Sequence, residues 1–235
     1  MRFFDLDSPL MTVLGKIADL MILNMIALIC CIPVITAGAS FTALHYMALK
    51  MVRNEECYII RGFFKSFKEN FKQATAIWLL ILVIIGIVAG DFYIIVKSGI
   101  EFHMVLRVII MAAAVLIAFT AVYVFPVLAK FENTIKRTIK NAFIMSILQF
   151  PKTILMIIML FVPYVMCAVS WNLIPIAFVF GLSVPAYFSA MLYNKFFKKL
   201  EDQILEENGP KQDGEEDEHI FSDELDERLV EENKA

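Results

Sequence analysis

The chain has 235 residues, of which 60% are hydrophobic and only 19% charged, and its mean hydropathy is +0.72. A soluble domain carries ~45–50% apolar and ~25% charged residues, so this composition excludes an ordinary soluble protein and points to a polytopic membrane protein. The net charge of −3 is unevenly placed: from Glu201 onward there are 15 acidic and 3 basic residues, whereas residues 1–200 hold 9 acidic and 18 basic ones. A basic apolar body with an acidic tail is not the footprint of a nucleic-acid binder; it fits loops beside anionic headgroups and a solvated tail.

Ser8-Pro9 is a helix start, with Pro in the first turn. The first apolar helix is predicted over residues 10–32, interrupted by Lys16, Asp19 and Asn24; Lys16 and Asp19 are three apart and can pair on one face. The acidic residues ahead of this run and its length argue against a cleaved signal peptide, despite Ala37-Gly38-Ala39, so it reads as a retained helix. Pro33 and Gly38 end or bend it. The next apolar run, 40–52, is short: thirteen residues span only ~20 Å at ~1.5 Å per residue, against a ~30 Å hydrocarbon core, unless Thr36–Ala39 extends it to 36–52. It is either a short crossing or a re-entrant piece.

Further spans are predicted at 74–96, 104–129, 153–169 and 173–194, with bends at Pro163, Pro175 and Pro185. Between them lie two basic connectors. The first holds Arg53, Arg61, Lys65, Lys68 and Lys72, and the second Lys130, Lys136, Arg137, Lys140 and Lys152. The opposite turns are almost uncharged, so the positive-inside rule puts both connectors and the C-terminus in the cytoplasm of a multi-pass plasma-membrane protein. The expected fold is all-α: a transmembrane helical bundle of five or six helices in three hairpins, six if 36–52 crosses. Residues 1–200 form the membrane domain and 201–235 a largely disordered tail. Within that tail Ile220, Phe221, Leu225 and Leu229 have the spacing of a short amphipathic helix.

Both connectors read as amphipathic elbows. Ile60, Phe63, Phe64, Phe67 and Phe71 repeat at helical spacing, with Arg61, Lys65, Lys68 and Lys72 one step round. Phe131, Ile135, Thr138, Ile139, Ala142 and Phe143 do the same in the second elbow. Such helices suit the membrane interface, with the Phe stripe facing lipid. Arg53, Arg61, Phe64, Lys65, Phe67, Lys68, Phe71 and Lys72 are therefore the candidate surface for lipid or a partner.

Other polar residues carry competing readings. Asp91 lies in an apolar span, where charge is costly and often functional. Counted from Gly99, Asp91 and Arg107 are each eight residues away, so an intramembrane ion pair is expected, with a solvated interfacial Asp or a substrate role as alternatives. Asp19, Asn24 and His45 could face one another, as helix–helix hydrogen bonds or as a polar path. Trp171, Tyr164, Tyr187 and Tyr193 read as interface anchors. Cys30, Cys31, Cys57 and Cys167 contain no CxxC, and His45, His103 and His219 are far apart in sequence, so no metal site or cofactor is expected. No P-loop, GxSxG or HExxH is present, so no catalytic residue is expected.

The run GASFTALHYMALKMVRNEE followed by IIRGFFKSFKENFKQA resembles the hallmark of the YesL-like family of bacterial membrane proteins, domain of unknown function 624. SPLMTVLGKIADLMILNMIALICCIPVITAGAS, FPVLAKFENTIKRTIKNAFIMSI and the final hydrophobic pair resemble it too, so the likeness covers roughly residues 1–200. The family has no established catalytic motif. What the resemblance implies is association with carbohydrate ABC importers, as an accessory component; an autonomous small-solute transporter is the alternative.

Overall fold

The structure, a computed structural model, describes residues 9–55, 58–97, 104–131 and 133–208. Cys57, His103, His219 and the segment 220–229 fall outside the described residues. All regular structure among the described residues is helical: α1 (Pro9–Cys31), α2 (Ala37–Arg53), α3 (Ile59–Glu69), α4 (Phe71–Lys97), α5 (Met104–Lys130), α6 (Ile135–Leu148), α7 (Phe150–Val169), α8 (Ile174–Phe180) and α9 (Ser183–Asn208). Single 3-10 turns precede α2 (Val34–Thr36) and α8 (Trp171–Leu173).

Four stretches are long and apolar enough to cross a membrane: Leu10–Cys31, Phe71–Tyr93, Arg107–Lys130 and Phe150–Val169. The Trp171–Phe180 and Ser183–Ile204 segments, bent by 56° at their junction, make a fifth if taken as one span. These lengths and this apolarity are those of the spans of a multi-pass membrane protein. Its large exposed side chains, such as Ile29, Val83, Ile87, Val108, Met111, Phe161 and Val165, present apolar surface suited to lipid.

The short helix α2 sits at the centre. It packs against α1, α3, α4, α5 and α9, and most of its residues from Ala37 to Met51 are buried. Its sequence explains this position. Ala37, Gly38, Ala39, Ser40, Ala43 and Ala48 present little side chain, so neighbouring backbones approach closely. A Cβ on Gly38 would lie 2.5 Å from Trp78 Cβ and 2.6 Å from the Ala74 carbonyl oxygen on α4. The α2 hydroxyls bond locally: Ser40 Oγ donates to the Ala27 carbonyl on α1 (2.9 Å) and Thr42 Oγ1 to that of Gly38 (3.0 Å). At the start of the helix, Thr36 Oγ1 donates to the carbonyls of Cys30 (2.6 Å) and Pro33 (2.8 Å), closing the α1–α2 turn. Asn54 ends α2 in the left-handed conformation (φ 56°), which Asn tolerates, and its N–H returns to the Lys50 and Met51 carbonyls.

Two successive units follow one plan: α2, α3, α4 and then α5, α6, α7. In each, a helix ends in a cation, Arg53 or Lys130, a short basic helix follows, and a one-residue junction leads into a long apolar helix beginning with Phe71 or Phe150. The junction residues are Asn70 and Gln149.

Three details differ from the sequence expectations. The last span breaks at Gly181-Leu182, not at its prolines; Pro175 and Pro185 occupy the first turns of α8 and α9, where the missing N–H costs nothing. Residues 201–208, expected within the tail, are helical and continue α9. The Phe stripe of the first elbow is split: Phe63 is fully buried and Phe67 half-buried, while Phe64 and Phe71 are exposed.

Candidate functional site: the polar latch at the foot of the central helix

Along α9 the buried residues Ala186, Ala190, Tyr193, Phe197 and Glu201 recur at steps of three and four, the stripe of a helix packed on one side. The stripe is apolar until its last member, a carboxylate. Glu201 meets the end of α2. Arg53 Nη2 donates to Glu201 Oε1 at 2.7 Å and Nη1 to Oε2 at 3.1 Å, a bidentate fork. Arg53 Nε donates to Asn194 Oδ1 at 2.9 Å, one helical stretch earlier on α9. The foot of α5 supplies a second cation, with Lys130 Nζ 3.5 Å from Glu201 Oε1. These side chains are 8–11% exposed, so three helices are tied by charges largely removed from water.

The two cations are the equivalent residues of the two helix–elbow–helix units, and one carboxylate serves both. Next to them His45 Nδ1 lies 3.4 Å from the Tyr193 hydroxyl, and the Tyr193 and Phe197 rings lie 4.6 Å apart between centroids, tilted by 37°. Phe131 meets Phe197 edge-on at 5.3 Å and shields the cluster from the α5 side.

A second polar junction lies at the α8–α9 break. Asn24 of α1, fully buried, accepts from the Leu182 N–H (2.8 Å) and the Ser183 N–H (3.0 Å), and donates from Nδ2 to the Phe178 carbonyl (2.8 Å). One amide thus satisfies both broken helix ends, which hydrocarbon could not do. On the far side of α2, the Trp78 indole N–H donates to the Val34 carbonyl at 2.7 Å, and Phe41, Trp78 and Phe125 cluster around the start of the helix.

The candidate surface residues divide. Arg53 is not on the surface; it is the core of the latch. Arg61, Phe64, Lys65, Lys68, Phe71 and Lys72 are exposed, and Phe67 is half-buried. Asp91 is half-buried on α4 and Arg107 exposed on α5, and they form no ion pair with each other.

Lys16, expected beside Asp19, instead donates from Nζ to Asn54 Oδ1 at 2.6 Å, fixing the first half of α1 beside the end of α2. Asp19, Asn24 and His45 do not converge: Asn24 is bound to the α8–α9 break and His45 to Tyr193. Tyr193 is fully buried rather than an interface anchor, whereas Trp171 and Tyr164 are exposed. Cys30, Cys31 and Cys167 are free thiols. Among the described residues no three of His, Cys, Asp and Glu are grouped to hold a metal ion.

Glu201, Lys130 and Asn194 were not among the sequence candidates. The continuation of the 186–190–193–197 stripe to position 201 was the available signal. It was masked because Glu201 opens an acidic run whose composition reads as tail.

A family model described as "Protein of unknown function, DUF624" matches residues 20–92. The match spans the second half of α1, the central helix, α3 and most of α4. Among curated proteins and among solved structures, nothing matches the chain.

Proposed function

We propose that this chain, whose residues 20–92 match the DUF624 family, is a non-catalytic accessory membrane protein of a carbohydrate ABC uptake system in the bacterial plasma membrane. It presents its two basic elbows to the cytoplasm. The observation that carries the reading is the division of labour within the first elbow. Phe63 anchors α3 in the bundle, while Arg61, Phe64, Lys65, Lys68, Phe71 and Lys72 are exposed. A helix tied down on one face with cations and aromatic rings exposed is equipped to hold an anionic headgroup layer or an acidic partner surface. The link to carbohydrate uptake comes from the family resemblance alone.

Two experiments test it. Tagged protein purified in mild detergent should bring down a permease subunit of an importer, and replacing Arg61, Lys65 and Lys68 together by Glu should abolish that recovery. Deletion should reduce oligosaccharide uptake. Recovery of no importer subunit, together with unchanged uptake, removes the proposal.

The alternative, autonomous transport of a small solute, requires a polar path. Its candidate residues are Asp19, Asn24, His45 and Asp91; of these, Asn24 is engaged at the α8–α9 break and His45 lies beside Tyr193. Uptake by proteoliposomes holding this protein alone is the observation that would favour it.

A further inference from the structure

A groove of ≈ 230 Å³ runs between α6 and the second half of α9. Its walls are apolar, with Ile144 and Leu148 on α6 facing Phe196, Leu200 and Ile204 on α9. Phe131 and Met145, both buried, line it too. Two lining residues break the pattern. Asn133, in the link between α5 and α6, and Asn141 on α6 both line the groove. Asn133 is only 8% exposed, and among the described residues neither side-chain amide has a hydrogen-bond partner. A buried amide left without a partner is costly, so its donors and acceptor call for a group that the protein does not supply.

The lining selects the occupant. No charged side chain lines the groove, so it is not built for an ion. Its volume is below the ~300–1,000 Å³ of a site that engulfs a small molecule, so it fits one slender apolar chain lying in a trough. The two neutral amides match a neutral hydrogen-bonding group attached to that chain. The groove's place in the fold says where such a molecule comes from. Leu148, 66% exposed, lies two residues before Phe150, where the apolar stretch Phe150–Val169 begins. Exposed apolar surface continues from Leu148 through Phe150, Ile154 and Ile158 along α7. The trough therefore opens onto the lipid-facing side of a span, at the depth where acyl chains join their glycerol esters.

We propose that the α6–α9 groove is a phospholipid site: one acyl chain lies in the trough, and the Asn133 and Asn141 amides donate to the ester carbonyls at its head. The amides recognise the ester rather than a headgroup charge, so the site discriminates a glycerolipid from a plain hydrocarbon chain. A lipid held there ties the second elbow to the end of α9 from outside the bundle. This inference does not depend on the importer reading.

The test uses the full chain purified in dodecyl maltoside, a detergent with an apolar chain and no ester. The probe is a trace of phosphatidylethanolamine carrying a diazirine in its acyl chain. The detergent competes for every lipid-facing surface, so adduct yield follows affinity. After illumination, peptide mapping should find adducts concentrated on Met145, Leu148 and Leu200, well above those on Ile158 and Phe161, which are exposed on α7. Asn133→Leu with Asn141→Leu makes the trough more apolar yet should lower the groove adducts at least about tenfold, leaving those on α7 unchanged. Neither amide holds a hydrogen bond in the fold, so this pair leaves the bundle's own contacts in place. Ile144→Trp, at an exposed wall position, should fill the trough and lower the groove adducts as well. Adducts spread evenly over the groove and α7 overturn the proposal, because the groove is then ordinary lipid-facing surface. Groove adducts that persist in the Asn133→Leu, Asn141→Leu variant overturn the recognition of the ester. A groove free of adducts overturns the lipid as occupant.

Discussion

At the scale of residues, the Glu201 carboxylate is the group whose loss should cost most. Removing it leaves Arg53 and Lys130 facing each other in a site largely closed to water. Breaking a buried ion pair by deleting one partner costs about 3–5 kcal/mol. Glu201→Ala should therefore lower the melting temperature of the detergent-solubilised protein sharply. Replacing all three charges together, as Arg53→Met, Lys130→Met and Glu201→Leu, should be much milder, since apolar groups of similar volume avoid the desolvation penalty. A triple variant as damaged as Glu201→Ala would show that the charges have a role beyond holding helices together. Asn24 offers a second measurement. Asn24→Leu keeps the volume but removes three hydrogen bonds, each worth about 0.6 kcal/mol in a membrane protein. A loss of about 2 kcal/mol is expected, read as a lower unfolding midpoint. If Asn24→Leu is neutral, the α8–α9 break is satisfied in some other way.

At the scale of elements, the approach of α2 and α4 rests on one missing methyl group. Gly38→Ala forces a Cβ into Trp78 and the backbone of Ala74, neither of which is a flexible tip, so the helices must separate. Overpacking of this kind costs about 1–3 kcal/mol. Gly86 and Gly90, further along α4, have nothing within 4 Å of an added Cβ. Gly86→Ala should be neutral or stabilising by up to about 1 kcal/mol, from helix propensity. Thermal unfolding of the two variants side by side checks the contrast. Equal effects would mean that α2 and α4 are not closely packed at Gly38.

The elements also show where sequence reasoning reached and where it stopped. Apolar run lengths located the long helices because a helix in hydrocarbon must be apolar over its whole length. The spacing of Phe63 and Phe67 implied a helix, and α3 runs from Ile59 to Glu69. It could not say which arc faces the bundle, because a phenylalanine suits protein interior and lipid equally. The partner of Arg53 was illegible for a different reason. Arg53 and Glu201 are 148 positions apart, and no local pattern links them. The prolines of the last span misled because position, not identity, decides their effect: in a first turn Pro starts a helix, and only further in does it disrupt one.

At the scale of the whole molecule, both elbows belong to one side of the membrane if each follows a helix foot that meets Glu201. Single cysteines at Lys68 and Lys140, both exposed, should then react with an impermeant maleimide only from the cytoplasmic face. A cysteine at Trp171, in the turn between α7 and α8, should react only from outside. Labelling of the two elbows from opposite faces would break the correspondence between the α2–α3–α4 and α5–α6–α7 units. The contact of Lys16 with Asn54 places the first half of α1 on the elbow side as well, so the same experiment with a cysteine at Lys16 reports whether α2 returns across the membrane.

The single carboxylate shared by two cations has a consequence for synthesis. Arg53 leaves the ribosome early and Lys130 midway, and both precede their counter-charge in the chain. Until α9 is made, Arg53 and Lys130 lack the Glu201 carboxylate that ties them together. Closure of this latch is therefore timed by the synthesis of α9. A chain cut short of residue 201 should lack the tie between α2, α5 and α9.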